Sequence, residues 1–363
     1  MKGKIYVLCQ SYPSIEHRYA MTFVHARVKE YIEHGLDTTV LSFSCLEPYK
    51  FDDVSVLPAK KNITLLQCRD ILISHAPNIK NHIPFILKAK KRTQNIVLFF
   101  HGHEVLSTAK YYPTPYKFNK AAHKEYAFLR AYDLIKLPFM KWFLNKLLKS
   151  SSVHAVFVSR WMLKSAEQSL KTTFSNRTNV HIINNCNSPY ITNGGYKLPK
   201  KFSADFITIR PLDQSKYCVD LIVQFAKSHP DFTFHIYGKG NYFKYNLLPK
   251  NIQVINEFIL PKDIPNILNH YRYAIMPTRL DAQGVMVCEM ASYGIPTVTS
   301  DIEVCHEMLD SFDNVLFIKN TEFKEHIEPQ KLPKPLKKIN DKFSSCNTVR
   351  YEVDLLRQIF SKQ

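Results

Sequence analysis

At 363 residues the chain is long enough for two domains of ordinary size. Its 45% apolar content supports packed cores and excludes a disordered chain, and no apolar run approaches the ~20 residues that cross a bilayer as a helix. The formal charge of +18 is lopsided, because residues 1–180 carry 27 Lys and Arg against 12 Asp and Glu, which points to an anionic partner for the first half. The eight cysteines are scattered without a CxxC pair, which suits free thiols in a reducing cytosol better than a zinc site.

The start, MKGKIYVLC, reads as a first strand over 5–9, since its apolar run is too short for a signal peptide. A helix is predicted over 22–35, with Gly35 as its cap. Further strands are predicted at 38–43, 70–74, 95–100 and 154–159, where Ser159 fits the N-cap of the next helix. The stretch 187–204, NSPYITNGGYKLPKKFSA, has the Pro, Gly, Asn and Lys content of a linker. Beyond it lie predicted strands at 206–210, 233–237, 253–255, 273–276, 297–300 and 315–318, and a final helix over 346–360. Strands alternating with helical patterns predict an α/β protein with two doubly wound, Rossmann-like domains, at 1–190 and 200–340, and a tail at 341–363.

The richest stretch is 275–301, IMPTRLDAQGVMVCEMASYGIPTVTSD. It reads as strand, loop, helix and strand. Gly294 suits the left-handed position after a helix, and Pro296 blocks its continuation. Asp281 falls in the loop at the helix mouth and Glu289 more than a turn inside the helix. A helix mouth offers unpaired N–H groups and a positive dipole end to an anion, while carboxylates beside it accept hydrogen bonds from sugar hydroxyls. Upstream, Arg210 closes a strand and Lys216 follows six residues later, at the start of a helix predicted over KYCVDLIVQFAK. Fixed cations at a strand end suit an anionic group. No Asp-x-Asp occurs, so no metal clamp is indicated. Gly238 and Gly240 end the next strand in a tight turn.

The run from Asp281 through Pro296 resembles the nucleotide-sugar site of retaining glycosyltransferases with the GT-B fold (family 4), including bacterial members of polysaccharide biosynthesis. Their usual pattern is Glu, seven residues, Glu, then Ala-x-x-x-Gly-x-Pro; here Asp281 takes the place of the first Glu. The resemblance implies two doubly wound domains facing a cleft, with the tail helix able to pack back on the first. It implies that Glu289 accepts from the donor ribose, and Asp281 from hexose hydroxyls. It also implies that the Gly284, Val285 and Met286 amides approach sugar or phosphate, and that Arg210 and Lys216 hold the diphosphate. Gly238 would line the nucleotide cleft and Phe258 would contact the base. His101, at the end of the 95–100 strand, would stand close to the reacting sugar. No cofactor is implied beyond the nucleotide sugar itself, UDP-linked. The chain departs from the family at Tyr217, where Gly is usual, and lacks the glycine pair after the first strand. These departures motivate an alternative, a GT-B protein that binds a nucleotide sugar without transferring it or acts only with a partner.

Residues 110–152 carry nine Lys and Arg, two acids and ten aromatics. Cations interleaved with rings suit an anionic membrane surface better than nucleic acid. A cytoplasmic enzyme, peripheral on the inner face of the membrane and acting on a saccharide or lipid-linked saccharide, is the expectation.

Overall fold

The computed structural model describes residues 3–17, 20–257 and 259–362. The chain forms two compact units, one from 1–107, 132–186 and 344–363, the other from 108–131 and 187–343.

The first unit is built on an eight-stranded sheet: β1 (Ile5–Cys9), β2 (Thr38–Ser42), β3 (Tyr49–Phe51), β4 (Val54–Pro58), β5 (Ile71–His75), β6 (Asn95–Phe100), β7 (Val153–Phe157) and β8 (Val180–Ile182). Their order is β3-β4-β2-β1-β5-β6-β7-β8. Only the β3–β4 pair is antiparallel. Val7 sits opposite Val40 on one side and Ile73 on the other. The central strands are buried along their whole length, as strands covered on both faces must be, which is why they read as continuous apolar runs rather than alternating ones. The β3–β4 hairpin was not among the predicted strands. Its turn is Asp52-Asp53, both at positive φ (44° and 64°), a conformation Asp tolerates but one that lacks the Asn-Gly or Asp-Gly signal.

The final helix, Val349–Ser361, belongs to this unit and places Val353 and Leu356 in its core. From the same helix Glu352 receives the Arg27 Nε–H at 2.8 Å and the Tyr31 hydroxyl at 2.5 Å, all three side chains being buried.

In the second unit β9 (Ala204–Ile209), β10 (Phe234–Tyr237), β11 (Ile252–Ile255), β12 (Tyr271–Met276), β13 (Thr297–Ser300) and β14 (Val315–Ile318) form a parallel sheet. The order is β11-β10-β9-β12-β13-β14. The chain leaves β9 toward β10 on one side, and β12 pairs with β9 on the other. The switch point, where open α/β sheets bind ligands beyond the strand carboxyl ends, therefore lies between β9 and β12. Phe206, Phe225, Phe234, Ile275 and Val298 are in the core beneath it.

Residues 108–131 precede the 187–204 linker yet group with this second unit, so a boundary drawn at the linker alone misassigns them. Aromatic packing accounts for it. Tyr116 and Phe118 sit 5.1 and 5.9 Å from the Tyr242 ring, and Phe118 stacks on Tyr245 at 4.9 Å.

Candidate functional site

Arg210 is the first residue beyond β9, and its side chain is buried. Nη1 donates to the carbonyls of Tyr217 and, at 2.5 Å, Pro277, and Nη2 lies 3.1 Å from the Met276 sulfur. One guanidinium thus stitches the loop after β9 to the loop after β12, at the switch point. Its partners are carbonyls and a thioether, and its buried Nε has no acceptor among the described residues. Burial pushes its pKa down to about 10, only partly offset by nearby groups, including the Asp281 carboxylate. A buried cation hydrogen-bonded only to neutral groups is electrostatically incomplete, and an anion brought to it would gain accordingly.

Lys216 lies in a short 3-10 turn, Ser215–Tyr217, not at the start of the helix. Cys218, at φ 57°, interrupts the helical path, and the α-helix runs from Val219 to Ser228. The Lys216 ammonium stands 4.7 Å from the centroid of the Tyr217 ring. Its carbonyl accepts from the Arg279 amide at 3.0 Å and the Thr278 hydroxyl at 3.2 Å. Arg279, which lies outside the motif residues, also donates to the Ser215 carbonyl and the Asp220 carboxylate.

The loop after β12 ends at Gly284, whose φ of 76° sets the entry to the helix Val285–Tyr293; Gly294, at φ 107°, closes it. Asp281 folds over the helix mouth, since a Cβ at Gly284 would lie 3.6 Å from Asp281 Oδ2. The other oxygen, Oδ1, accepts from the Ala282 amide at 2.8 Å and the Gln283 amide at 3.3 Å. Val285 and Met286 open the helix, where the first amides lack intrahelical acceptors. Glu289 is buried, and its Oε1 accepts from the Ser188 amide at 2.8 Å. Burial pushes the carboxyl pKa up to about 7, with the Ser188 N–H pulling the other way.

Residues 207–328, which hold all of these groups except Ser188, match the model of the family described as glycosyl transferases group 1. That match falls wholly within the second unit. Among solved structures the chain is similar to a sucrose-phosphate synthase from Thermosynechococcus elongatus, at 9% identity and TM-score 0.65, over 99% of this chain and 100% of that one. It is also similar to an α,α-trehalose-phosphate synthase (UDP-forming) from Burkholderia vietnamiensis, at 11% identity and TM-score 0.61, over 100% of both. It is similar to a chain of the GtfA/B complex at 13% identity and TM-score 0.54, over 87% of this chain but only 63% of that one. At such identities the likeness carries the fold, which is GT-B. No curated protein sequence matches the chain.

Within the matched stretch, Gly238 has a backbone reason. At φ 149° its Cβ position lies 1.9 Å from the Arg210 carbonyl oxygen, so only Gly lets the chain after β10 pass this close to the end of β9. Phe258 lies outside the described residues. Among the described residues no group of three or more His, Cys, Asp or Glu is arranged to hold a metal ion.

His101 is in the first unit, at the carboxyl end of β6. Its backbone N–H donates to Glu104 at 2.9 Å and its ring packs 4.6 Å from Phe23. Nε2 lies 3.1 Å from His75 Nδ1 at the end of β5. Burial, then the positive charge of Arg27, hold its pKa well below the usual imidazole value, so the ring is neutral at pH 7. His103, two residues on, is exposed.

Proposed function

We propose that the chain moves a hexose from a nucleotide-sugar donor to a saccharide or lipid-linked saccharide, with retention, in cell-surface polysaccharide synthesis. The observation that carries this reading is Arg210, a buried cation at the switch point whose hydrogen-bond partners among the described residues are all neutral. A nucleoside diphosphate supplies the missing anion. As the glycosidic bond breaks, negative charge grows on the leaving diphosphate. A cation already fixed and desolvated then stabilises the transition state more than the ground state. Lys216 and the Val285 and Met286 amides add to this field, Glu289 accepts from ribose hydroxyls, and Asp281 accepts from the hexose. Retention rests on the family resemblance of the 281–296 pattern. UDP is the first candidate nucleotide, the similar trehalose-phosphate synthase being described as UDP-forming.

The test is calorimetry of the purified chain against UDP, GDP, ADP and CMP, with and without EDTA. One nucleoside diphosphate should bind regardless of EDTA, and Arg210→Ala should weaken it at least about tenfold, the worth of one charge-assisted contact. Failure of all four nucleotides to bind would reject the donor site. Binding without transfer to any acceptor would favour the second reading, a donor-binding protein that needs a partner. Asp281 supports that reading, since one of its oxygens already serves its own loop.

A membrane-surface role for residues 110–152 is part of the same proposal. The helix Lys120–Leu147 buries Met140, Phe143 and Leu144 but leaves Leu134, Ile135 and Trp142 exposed on its other side. The Lys146 ammonium lies 5.0 Å from the Trp142 ring centroid, and Lys149 is exposed. Apolar side chains beside lysines match an anionic lipid surface. No helix among the described residues is long and apolar enough to cross a membrane. Co-sedimentation with phosphatidylglycerol vesicles but not phosphatidylcholine vesicles is expected, and its loss in a Leu134→Ser, Ile135→Ser, Trp142→Ser triple variant. Equal sedimentation of variant and parent would refute this face.

A further inference from the structure

The two strands β5 and β6 lie side by side in the first sheet, with His75 as the last residue of one and His101 directly after the other. Their rings are offset-stacked at 5.4 Å and 29°, and His75 Nδ1 approaches His101 Nε2 to 3.1 Å. Such a contact needs one proton between two nitrogens. Which ring holds it decides what the other nitrogen of each ring can do.

The surroundings settle the choice. His75 is wholly buried, stacked 4.5 Å from Phe99, and its Nε2 has no hydrogen-bond partner among the described residues. Burial, the neighbouring His101, and Arg27 and His82 all disfavour charge on His75, so it is a neutral imidazole with one N–H. If His101 donated from Nε2, His75 would carry its own proton on Nε2, a buried N–H without an acceptor. If His75 donates from Nδ1, its Nε2 is a bare lone pair. Orphaned buried N–H groups are rarer and costlier than under-used acceptors, so the second arrangement wins. His101 then accepts at Nε2 and must carry its proton on Nδ1. That nitrogen has no hydrogen-bond partner among the described residues, and the ring is only partly buried.

We propose that His75 is a positioning residue that locks His101 into the Nδ1–H tautomer, so that His101 offers a hydrogen-bond donor to a polar ligand at the carboxyl end of β6. The ligand class is one with an acceptor oxygen, such as a sugar hydroxyl. That catalytic consequence rests on the glycosyltransferase reading above, whereas the tautomer does not.

The experiment is a long-range 1H–15N correlation spectrum of the full chain labelled with 15N-histidine, at pH 7.5, with His101 assigned by loss of its signals in His101→Gln. His101 should show a protonated Nδ1 and a bare Nε2. In His75→Phe, which removes the donor, His101 should revert to the Nε2–H form that an unconstrained imidazole prefers. His75→Asn, whose amide N–H can take the place of Nδ1–H, should restore the Nδ1–H form and also guards against a folding defect in the Phe variant. A parent His101 protonated on Nε2, or an Nδ1–H form that survives in His75→Phe, would overturn the proposal. Turnover reports separately. If His101 touches the sugar, His75→Phe should lose about tenfold in kcat and His75→Asn should regain most of it, as one hydrogen bond is worth about that factor. A tautomer shift without a turnover change would uphold the lock and remove His101 from the reaction.

Discussion

Arg279 grips Asp220 through both terminal nitrogens, at 2.9 Å to Oδ1 and 2.6 Å to Oδ2, while its Nη1 also reaches the Ser215 carbonyl at 2.8 Å. With the Arg279 amide on the Lys216 carbonyl, the turn that carries Lys216 is tied to the loop after β12 on both sides of the lysine. Tyr116 donates to the same carboxylate at 2.7 Å. The pair is about a quarter exposed, so its worth to global stability is modest, but a planar fork fixes geometry that a lysine cannot. Arg279→Ala should therefore weaken nucleotide binding about tenfold while moving the urea midpoint little, and Arg279→Lys should recover only part of the affinity. A double-mutant cycle with Asp220→Ala should give a coupling of about 1–2 kcal/mol in binding. Additive losses would mean that the pair does not position Lys216.

Gly238 makes a sharper prediction on stability. A methyl group there meets the Arg210 carbonyl oxygen at 1.9 Å, which is backbone and cannot rotate away. The φ of 149° is strained for any L side chain. Gly238→Ala should cost about 3 kcal/mol or more, read from the urea midpoint, and should weaken nucleotide binding because Arg210 is displaced. Gly35 is the control, since its Cβ position is open and only its φ of 77° opposes Ala. Equal costs at the two sites would show that the β9–β10 approach is not tight.

Arg27 and Glu352 form a buried ion pair between residues far apart in the chain, with Tyr31 and Asn185 completing its hydrogen bonds. Breaking one side leaves a desolvated charge. Glu352→Gln should destabilise by about 3–5 kcal/mol, whereas an Arg27→Met, Glu352→Leu double variant should regain most of that loss. Chemical denaturation of the three chains checks it. A double variant as unstable as Glu352→Gln would mean that the pair is worth more than its desolvation penalty.

The central strands were legible because they pair in parallel and are covered on both faces, so that runs such as IYVLC and NIVLFF stand out from their helices by composition alone. Gly294 and Pro296 announced the end of the helix that carries Glu289, and the continuous pattern from Asp281 to Pro296 falls inside the stretch that matches the family model. What stayed hidden depends on contacts between distant residues. Nothing local in PTRLD reveals that Arg279 meets Asp220, 59 positions away. Nothing in YPTPYKF reveals that Tyr116 and Phe118 leave with the second unit. The left-handed Cys218 splits the expected helix at Lys216 without Gly or Asn to mark it. The Asp52-Asp53 hairpin hid for the same reason.

Glu289 ties the site to pH. Its folded pKa stands at about 7 against an ordinary 4.5, because burial disfavours the carboxylate. The unfolded chain therefore releases this proton first as pH rises. Between about pH 4.5 and 7 the folded state holds more protons than the unfolded state, so raising the pH through that window lowers stability, and the cost is constant above it. That difference corresponds to about 3 kcal/mol as an order of magnitude. Glu289→Gln, which keeps an acceptor for the Ser188 amide, should stabilise the ligand-free chain by about that amount at pH 8 and by nothing at pH 4, read from urea midpoints. Nucleotide binding should run the opposite way. Ribose hydroxyls donate more strongly to a carboxylate than to a carboxylic acid, so affinity in the parent should rise from pH 6 to pH 8 and the Gln variant should show a flat profile. A variant that is no more stable at pH 8, with the pH dependence of binding intact, would place the titrating group elsewhere.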